Sequence, residues 1–198
     1  MSRYLGPKVR LSRRVGVPIA DIPKHTSKDL TIPGVHGYRG RRNTEYGLRL
    51  TEKQKLRFHY NIQERQFRRF FNIAGSSKGN TGDTLISLLE SRLDNVIRRL
   101  GVVRTIWAAR QMVVHGHVRI NGKKVDRPSY QVEPGMEITF RERGQKLIRD
   151  NMESLAGHNV PAWIEWNPAQ LTGKIIAPPK PADVPLDINM NLIIELYR

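Results

Sequence analysis

The chain has 198 residues with 38% apolar side chains, 34 Lys and Arg against 18 Asp and Glu, a formal charge of +16 and no cysteine. That length supports one large or two small domains with real cores. The missing thiols exclude disulfides and every thiolate metal site, and no run approaches the roughly 18 apolar residues of a membrane helix. The net charge points to a polyanionic partner, and its placement narrows where that partner sits. Residues 1–80 carry 18 basic against 5 acidic side chains and residues 92–149 carry 13 against 5, whereas residues 150–198 carry 3 against 6. Two basic blocks are therefore expected to face the partner, and the C-terminal block to face away from it.

Residues 1–45 lack apolar periodicity, and Arg10, Arg13-Arg14 and Arg39 to Arg42 fall in short clusters. The opening Met1 to Lys8 is basic without an apolar stretch behind it, so no secretory signal is expected and the expected location is cytoplasmic. Such a segment reads either as a disordered tail or as an arm that orders on RNA. From Thr51 the pattern turns helical, with Thr51 and Gln54 spaced as a capping box. Glu52, Lys53, Lys55 and Arg57 make that helix polar enough to lie against solvent or a partner. Phe67, Phe70 and Phe71 then recur at helical spacing beside Arg65, Arg68 and Arg69, with Gly75 as stop. Interleaved aromatics and arginines invite base stacking, but spacings of three and four describe a buried helix face, and core packing is the favoured reading.

The glycine-rich loop from Gly75 to Gly82 lacks the Gly-Lys-Ser/Thr ending of a nucleotide-binding loop, and no apolar strand precedes it, so ATP or GTP binding is rejected. Asp83 is placed to cap a helix carrying Leu85, Leu88 and Leu89. Ser91 and Asp94 offer a further capping box, which predicts a break at residues 90–92. Leu93, Val96, Ile97 and Leu100 share one helix face while Arg92, Arg98 and Arg99 project elsewhere, and Gly101 supplies the stop. A second helix is predicted from the cap Thr105 to Gly116, burying Ile106, Ala109 and Val113. Val118 and Ile120 alternate with Arg119 before Asn121-Gly122, the dipeptide best suited to a tight hairpin, and Lys123-Lys124-Val125 returns the chain. Residues 136–140 read as a strand, 146–155 as a helix, 163–166 and 174–177 as short strands. Asp187 is expected to cap a final helix over 188–197 that packs on the first helical domain.

Arg92-Leu93-Asp94, Ala109-Arg110-Gln111, His115-Gly116-His117, Val118 to Gly122, Pro128-Ser129-Tyr130 and Pro134-Gly135 stand in one order and spacing. Together they resemble the small RNA-binding module named after the fourth small-subunit ribosomal protein. Outside it, Met1 to Lys8, Leu11 to Arg14, Pro33 to Gly37, Glu52 to Lys55, Glu64 to Phe67, Lys78 to Gly82 and Asp187 to Asn189 extend the resemblance to the bacterial ribosomal family end to end. Two departures are Ile106, where many relatives carry a basic residue, and the absence of the cysteine cluster that binds zinc in some relatives.

The fold class expected is α+β, a helical N-terminal domain completed by the C-terminal helix, plus an inserted module of two helices on a small twisted antiparallel sheet. Its expected segments are a basic extension at 1–45, a helical domain at 46–91 completed by about 184–198, the module at 92–155, and short strands with a Pro-rich connection at 156–183. The resemblance implies a structural, non-enzymatic component of the small ribosomal subunit. It further implies primary binding to small-subunit ribosomal RNA that nucleates assembly of the subunit body, contact with the fifth small-subunit ribosomal protein at an interface affecting accuracy, and messenger RNA near the ribosomal entrance.

Candidate RNA contacts in the module are Arg92, Arg104, Arg110, Gln111, His115, His117, Arg119 and Lys123. In the N-terminal half they are Arg3, Lys8, Arg10, Arg13, Arg14, Arg39, Arg41, Arg42, Arg49, Lys53, Lys55, Arg57, Arg65, Arg69 and Lys78. No cofactor is expected. His115 and His117, without cysteine or a nearby carboxylate pair, fall short of the three or four ligands of a metal site. Arg92-Leu93-Asp94 also echoes the catalytic Arg-Leu-Asp of pseudouridine synthases, but the preceding His, the following Thr-Ser-Gly and a catalytic domain are missing. A free-standing RNA chaperone built on the module would leave the N-terminal extension and returning helix unexplained.

Overall fold

The structure, a computed structural model, describes residues 4, 6–20, 22–27, 30–40, 44–155 and 158–197. They fall into two compact units, Met1–Gly75 with Leu186–Arg198, and Ser76–Pro185.

In the first unit, α1 (Lys8–Val15) and α2 (Pro23–Thr26) precede a short 3-10 turn at Gly37–Arg39, then α3 (Glu45–His59) and α4 (Glu64–Ser76). The described part of the N-terminal segment is thus folded, with α1 against α3. Its signal is polar rather than periodic. Ser12 Oγ lies 2.6 Å from His25 Nδ1 and accepts from the Ile19 N–H at 3.1 Å, drawing α1, the Ile19 loop and α2 together. Val15, Ile19 and Ala20 are buried beneath that junction. Gly16, at φ 73°, ends α1 in the left-handed conformation that glycine adopts at least cost.

Helix α3 begins six residues before the Thr51 predicted by the capping spacing. Thr44 caps it, accepting from the Gly47 N–H at 3.1 Å, while Thr51 sits inside the helix and donates to the Gly47 carbonyl. The capping box failed as a marker because a threonine hydroxyl can bond four residues back just as well as cap. Leu56, Phe58, Tyr60, Ile62, Phe67, Phe70 and Ala74 are also buried, so Phe67 and Phe70 of α4 are core while Phe71 is half-buried.

Helix α9 (Met190–Tyr197) packs on α3. It starts after Asn189, whose Oδ1 accepts from the Asn191 N–H at 3.1 Å, rather than from Asp187. Its Tyr197 ring stacks on Phe71 with centroids 4.4 Å apart and donates its hydroxyl to Glu64 Oε1 at 2.8 Å. Burial raises the Glu64 carboxyl, but hydrogen bonds from Lys53, Tyr197 and Arg57 outweigh it and leave the group below its ordinary value. Burial and that same carboxylate push the Tyr197 phenol well up. Tyr197→Phe keeps the stacking and deletes only the hydroxyl, so it is expected to cost about 1 kcal/mol in urea unfolding.

The second unit opens with α5 (Thr81–Glu90), capped by Asn80 rather than Asp83. Asn80 Oδ1 accepts from the Gly82 N–H at 2.9 Å, and Asp83 lies in the first turn. Next come α6 (Leu93–Arg99) and α7 (Ile106–Val114), the latter capped by Thr105 as its sequence predicts. Strands β1 (Val118–Ile120) and β2 (Lys123–Lys124) form the hairpin, with Asn121 and Gly122 at φ 48° and 76° as a two-residue turn of this kind demands. β3 (Glu137–Phe140), α8 (Glu142–Ser154), β4 (Ile164–Asn167) and β5 (Thr172–Ile175) follow.

The sheet is antiparallel throughout, in the order β2-β1-β3-β5-β4. It therefore draws in the strands of residues 163–177 that sequence spacing left as a separate connection. Two features attach them. Glu137 and Ile138 of β3 pair with Lys174 and Gly173, and Gly173 lets Leu100 approach so closely that a Cβ there would lie 2.9 Å from its methyl. Leu93, Val96, Ile97, Ile138 and Ile148 are fully buried in one cluster with Trp163 and Ile175. Each such side chain contributes about 1.5–3 kcal/mol by leaving water.

The unit boundary at 75/76 and the break expected at 90–92 are different places. The chain does turn at Ser91, but α5 is tied to α6 by buried charge. Glu90, fully buried, accepts from Arg99 Nε at 2.8 Å and Nη2 at 2.6 Å, and from Asn95 Nδ2 at 2.7 Å.

Candidate nucleic-acid interface

Two arginines expected to grip RNA are inside the second unit instead. Arg92 is fully buried, donating through Nε and Nη2 to the two Asp94 carboxylate oxygens at 3.1 and 2.7 Å. Arg110, 8% exposed, has its Nε 4.0 Å from the same carboxylate. Burial pulls the Arg110 pKa below its ordinary value, Asp94 opposes that shift, and Arg92 adds to it. Arg99, also read as outward, is the buried partner of Glu90. Helix periodicity placed these side chains off the α6 and α7 stripes correctly. It failed because that face is covered as well: Leu93 N–H and Asp94 N–H bond the Tyr130 and Pro128 carbonyls, and Arg92 bridges to Gln131. An Asp94 sealed among cations is also unsuited to nucleophilic attack on a base.

The remaining module candidates reach solvent. Arg104, Gln111, His115, Arg119 and Lys123 are exposed and His117 is half-buried. Three of them converge with residues the sequence reading missed. His115 at the end of α7, His117, Arg119 on β1, Phe140 at the end of β3, and Arg141, Glu142, Arg143 and Gln145 at the start of α8 line an open groove of about 670 Å³.

Local chemistry builds it. Gly116, at φ 70°, turns the chain between the two histidines. The Arg141 N–H donates to the His117 carbonyl at 2.9 Å, and Gln145 Nε2 donates to the Phe140 carbonyl at 2.9 Å. A Cβ on Gly144 would stand 3.0 Å from the His117 Cβ, so glycine lets the first turn of α8 pack there. The His115 and His117 ring centroids are 6.1 Å apart. Burial, then the charges of His115, Arg141 and Arg143, lower the His117 pKa below the usual imidazole value. Arg141 and Arg143 were missed because the helix spacing began at 146, whereas α8 begins at Glu142. Arg141-Glu-Arg-Gly144 directly after an alternating strand was the available signal.

In the first unit, Lys8, Arg10, Arg14, Arg39, Arg65 and Arg69 are exposed, and Lys78 is exposed in the second. Others already have carboxylate partners. Lys53 and Arg57 bond Glu64 at 2.9 and 3.0 Å, Lys55 bonds Glu52, and Arg49 pairs with Glu195 at 3.1 Å. Arg13 Nε donates to the Thr31 carbonyl at 2.9 Å. Arg3, Arg41 and Arg42 lie outside the described residues. Among the described residues no cluster of three His, Cys, Asp or Glu could hold a metal ion, and no helix is long and apolar enough to cross a membrane.

Comparison with known proteins gives this arrangement its kinship. Residues 3–90 match the family described as "Ribosomal protein S4/S9 N-terminal domain", and residues 91–138 match the "S4 domain". The chain is 46% identical to the "Small ribosomal subunit protein uS4" of Bacteroides fragilis over 200 aligned residues, covering 100% of this chain and 99% of that one. The proteins of the same name from Persephonella marina and Aquifex aeolicus are each 45% identical, with the same coverage.

The chain belongs to the uS4 family.

Within that uS4 frame the two family matches meet between Glu90 and Ser91, where α5 ends. The second match stops at Ile138, so the α8 side of the groove, Arg141 to Gln145, comes from beyond it.

Proposed function

We propose that the chain is a structural component of the small ribosomal subunit in the cytoplasm, holding ribosomal RNA by its phosphates and by the shape of its backbone. The observation that carries this is the end-to-end likeness to small ribosomal subunit proteins, with exposed cations gathered around the module's hairpin and groove. Physically, Lys and Arg displace condensed counterions, while the rigid helices and five-stranded sheet select the RNA shape they fit. A-form major grooves are closed to side chains, so selectivity rests on a junction's form and unpaired bases.

The finer role is primary binding that nucleates assembly of the subunit body, with contact to the fifth small-subunit protein, an effect on accuracy, and placement near incoming messenger RNA. The acidic excess of residues 150–198 supports a protein rather than an RNA partner for that end. The contacts we assign are the exposed candidates: Arg104, Gln111, His115, Arg119 and Lys123 on the module, and Lys8, Arg10, Arg14, Arg39, Arg65, Arg69 and Lys78 elsewhere. His117 and Arg141 and Arg143 join them in the groove.

The test is binding of the purified chain to small-subunit ribosomal RNA and to random duplex of equal length across a salt series. If about eight phosphates are neutralised, log affinity falls against log salt with a slope of roughly −6 to −7. Equal affinity for the two RNAs overturns the proposal.

A further inference from the structure

The groove between α7, β1 and α8 gathers Arg119, Arg141 and Arg143 around His115 and His117, with Glu142 as the one acidic lining residue among those described. Lys124 of β2 adds a further cation nearby, since its side chain crosses Gly116 closely enough that a Cβ there would meet its Cε. A site so lined repels additional positive charge. That repulsion is visible at His117, where burial and the neighbouring His115, Arg141 and Arg143 favour the neutral imidazole. An anion entering the groove reverses the balance, because it attracts these cationic groups and favours the charged His117 imidazole over the neutral one.

The dimensions suit one anion in particular. Ring centroids 6.1 Å apart, tilted at 52°, place the two imidazoles close enough to share one tetrahedral group seated against both from the groove, through charge-assisted N–H···O contacts of about 2.7–2.9 Å. A strand of RNA supplies such groups in series, and Arg119 on one wall and Arg141 and Arg143 on the other are placed to follow it past the histidines.

We propose that an RNA phosphate seats against His115 and His117 with the His117 imidazole charged, so that RNA binding takes up a proton and tightens as pH falls. This rests on the RNA-binding reading above and adds to it the protonation state of the site. The sign is fixed by linkage. In free protein His117 holds its proton only below the ordinary imidazole value of about 6.5, and phosphate moves that midpoint upward. Affinity therefore rises as pH drops through the interval between the bound and free midpoints, and levels off below the free one. Each unit of separation between the midpoints gives about a tenfold change in affinity.

The experiment measures affinity of the full chain for small-subunit ribosomal RNA from pH 8.5 to pH 5.5 at fixed ionic strength. Three proteins are compared: wild type, His115→Gln with His117→Gln, and Lys123→Ala, which removes an exposed charge without touching an imidazole. Wild type is expected to gain about tenfold or more across the range, and the double variant to lose most of that gain. Lys123→Ala should bind more weakly at every pH and keep the gain. NMR of the imidazole protons should show the His117 midpoint moving upward when RNA is added. If the double variant keeps the full pH response, or the His117 midpoint does not move, the inference is overturned while RNA binding stands. Absence of RNA binding at every pH overturns the RNA reading and this inference with it.

Discussion

Glu90→Gln is expected to destabilise the second unit by about 3–5 kcal/mol, the loss typical of removing one partner from a buried ion pair. Glu90 has no exposed surface, and its carboxylate is the shared acceptor for Arg99 and Asn95. Glutamine has nearly the same shape but offers one acceptor oxygen, and it turns an amide N–H₂ toward a guanidinium that can only donate. Arg99, 6% exposed, is then a charge without its counterion. The measurement is urea unfolding followed through tryptophan fluorescence, since Trp163 lies in the core of this unit. A loss under about 1 kcal/mol would mean that water reaches the pair. Adding Arg99→Met to Glu90→Gln should recover part of the loss, because two neutral groups leave no buried charge to solvate.

The same pair shows which parts of the fold are legible in the sequence. Apolar spacing located α6 and α7, and Asn121-Gly122 located the hairpin, because each rests on neighbours within a few residues. Arginine was misread where its counterion decided its place. Nothing in the local pattern says that Arg92 turns inward to Asp94 while Arg104 stays in water; that depends on the Pro128–Gln131 segment bonding to the helix start. The helices of the N-terminal segment were illegible for a related reason. Its fold is held by Ser12 and His25, thirteen residues apart, rather than by a hydrophobic stripe. The attachment of β5 to the sheet was also hidden, since Gly173 contributes a close approach to Leu100 and no apolar side chain of its own. At the candidate groove, composition pointed to the basic blocks, and the resemblance pointed to His115, His117 and Arg119, which line it. Arg141 and Arg143 emerge only once β3 is seen to deliver the start of α8 beside His117.

Removing the charges that line the groove should weaken RNA binding more than any other surface change and leave the fold intact. In Arg119→Ala, Arg141→Ala and Arg143→Ala together, three exposed cations are lost and no buried pair is broken. If each neutralises one phosphate, the slope of log affinity against log salt flattens by about 2, at roughly 0.7 per single-strand contact. Extrapolated to 0.1 M salt, that counterion contribution alone corresponds to about a hundredfold loss of affinity. Arg110→Ala gives the opposite pattern. It should lower the stability of the second unit, because Arg110 sits beside Asp94 in the interior, while the salt slope of the molecules that remain folded stays near the wild-type value. The two variants thus separate arginines that hold RNA from arginines that hold the protein. A triple variant that unfolds at the wild-type urea concentration yet keeps the wild-type slope would show that phosphates do not enter this groove. The contacts would then belong to the other exposed candidate cations, Arg104, Lys123 and Lys78 of the second unit and Lys8, Arg10, Arg14, Arg39, Arg65 and Arg69 of the first.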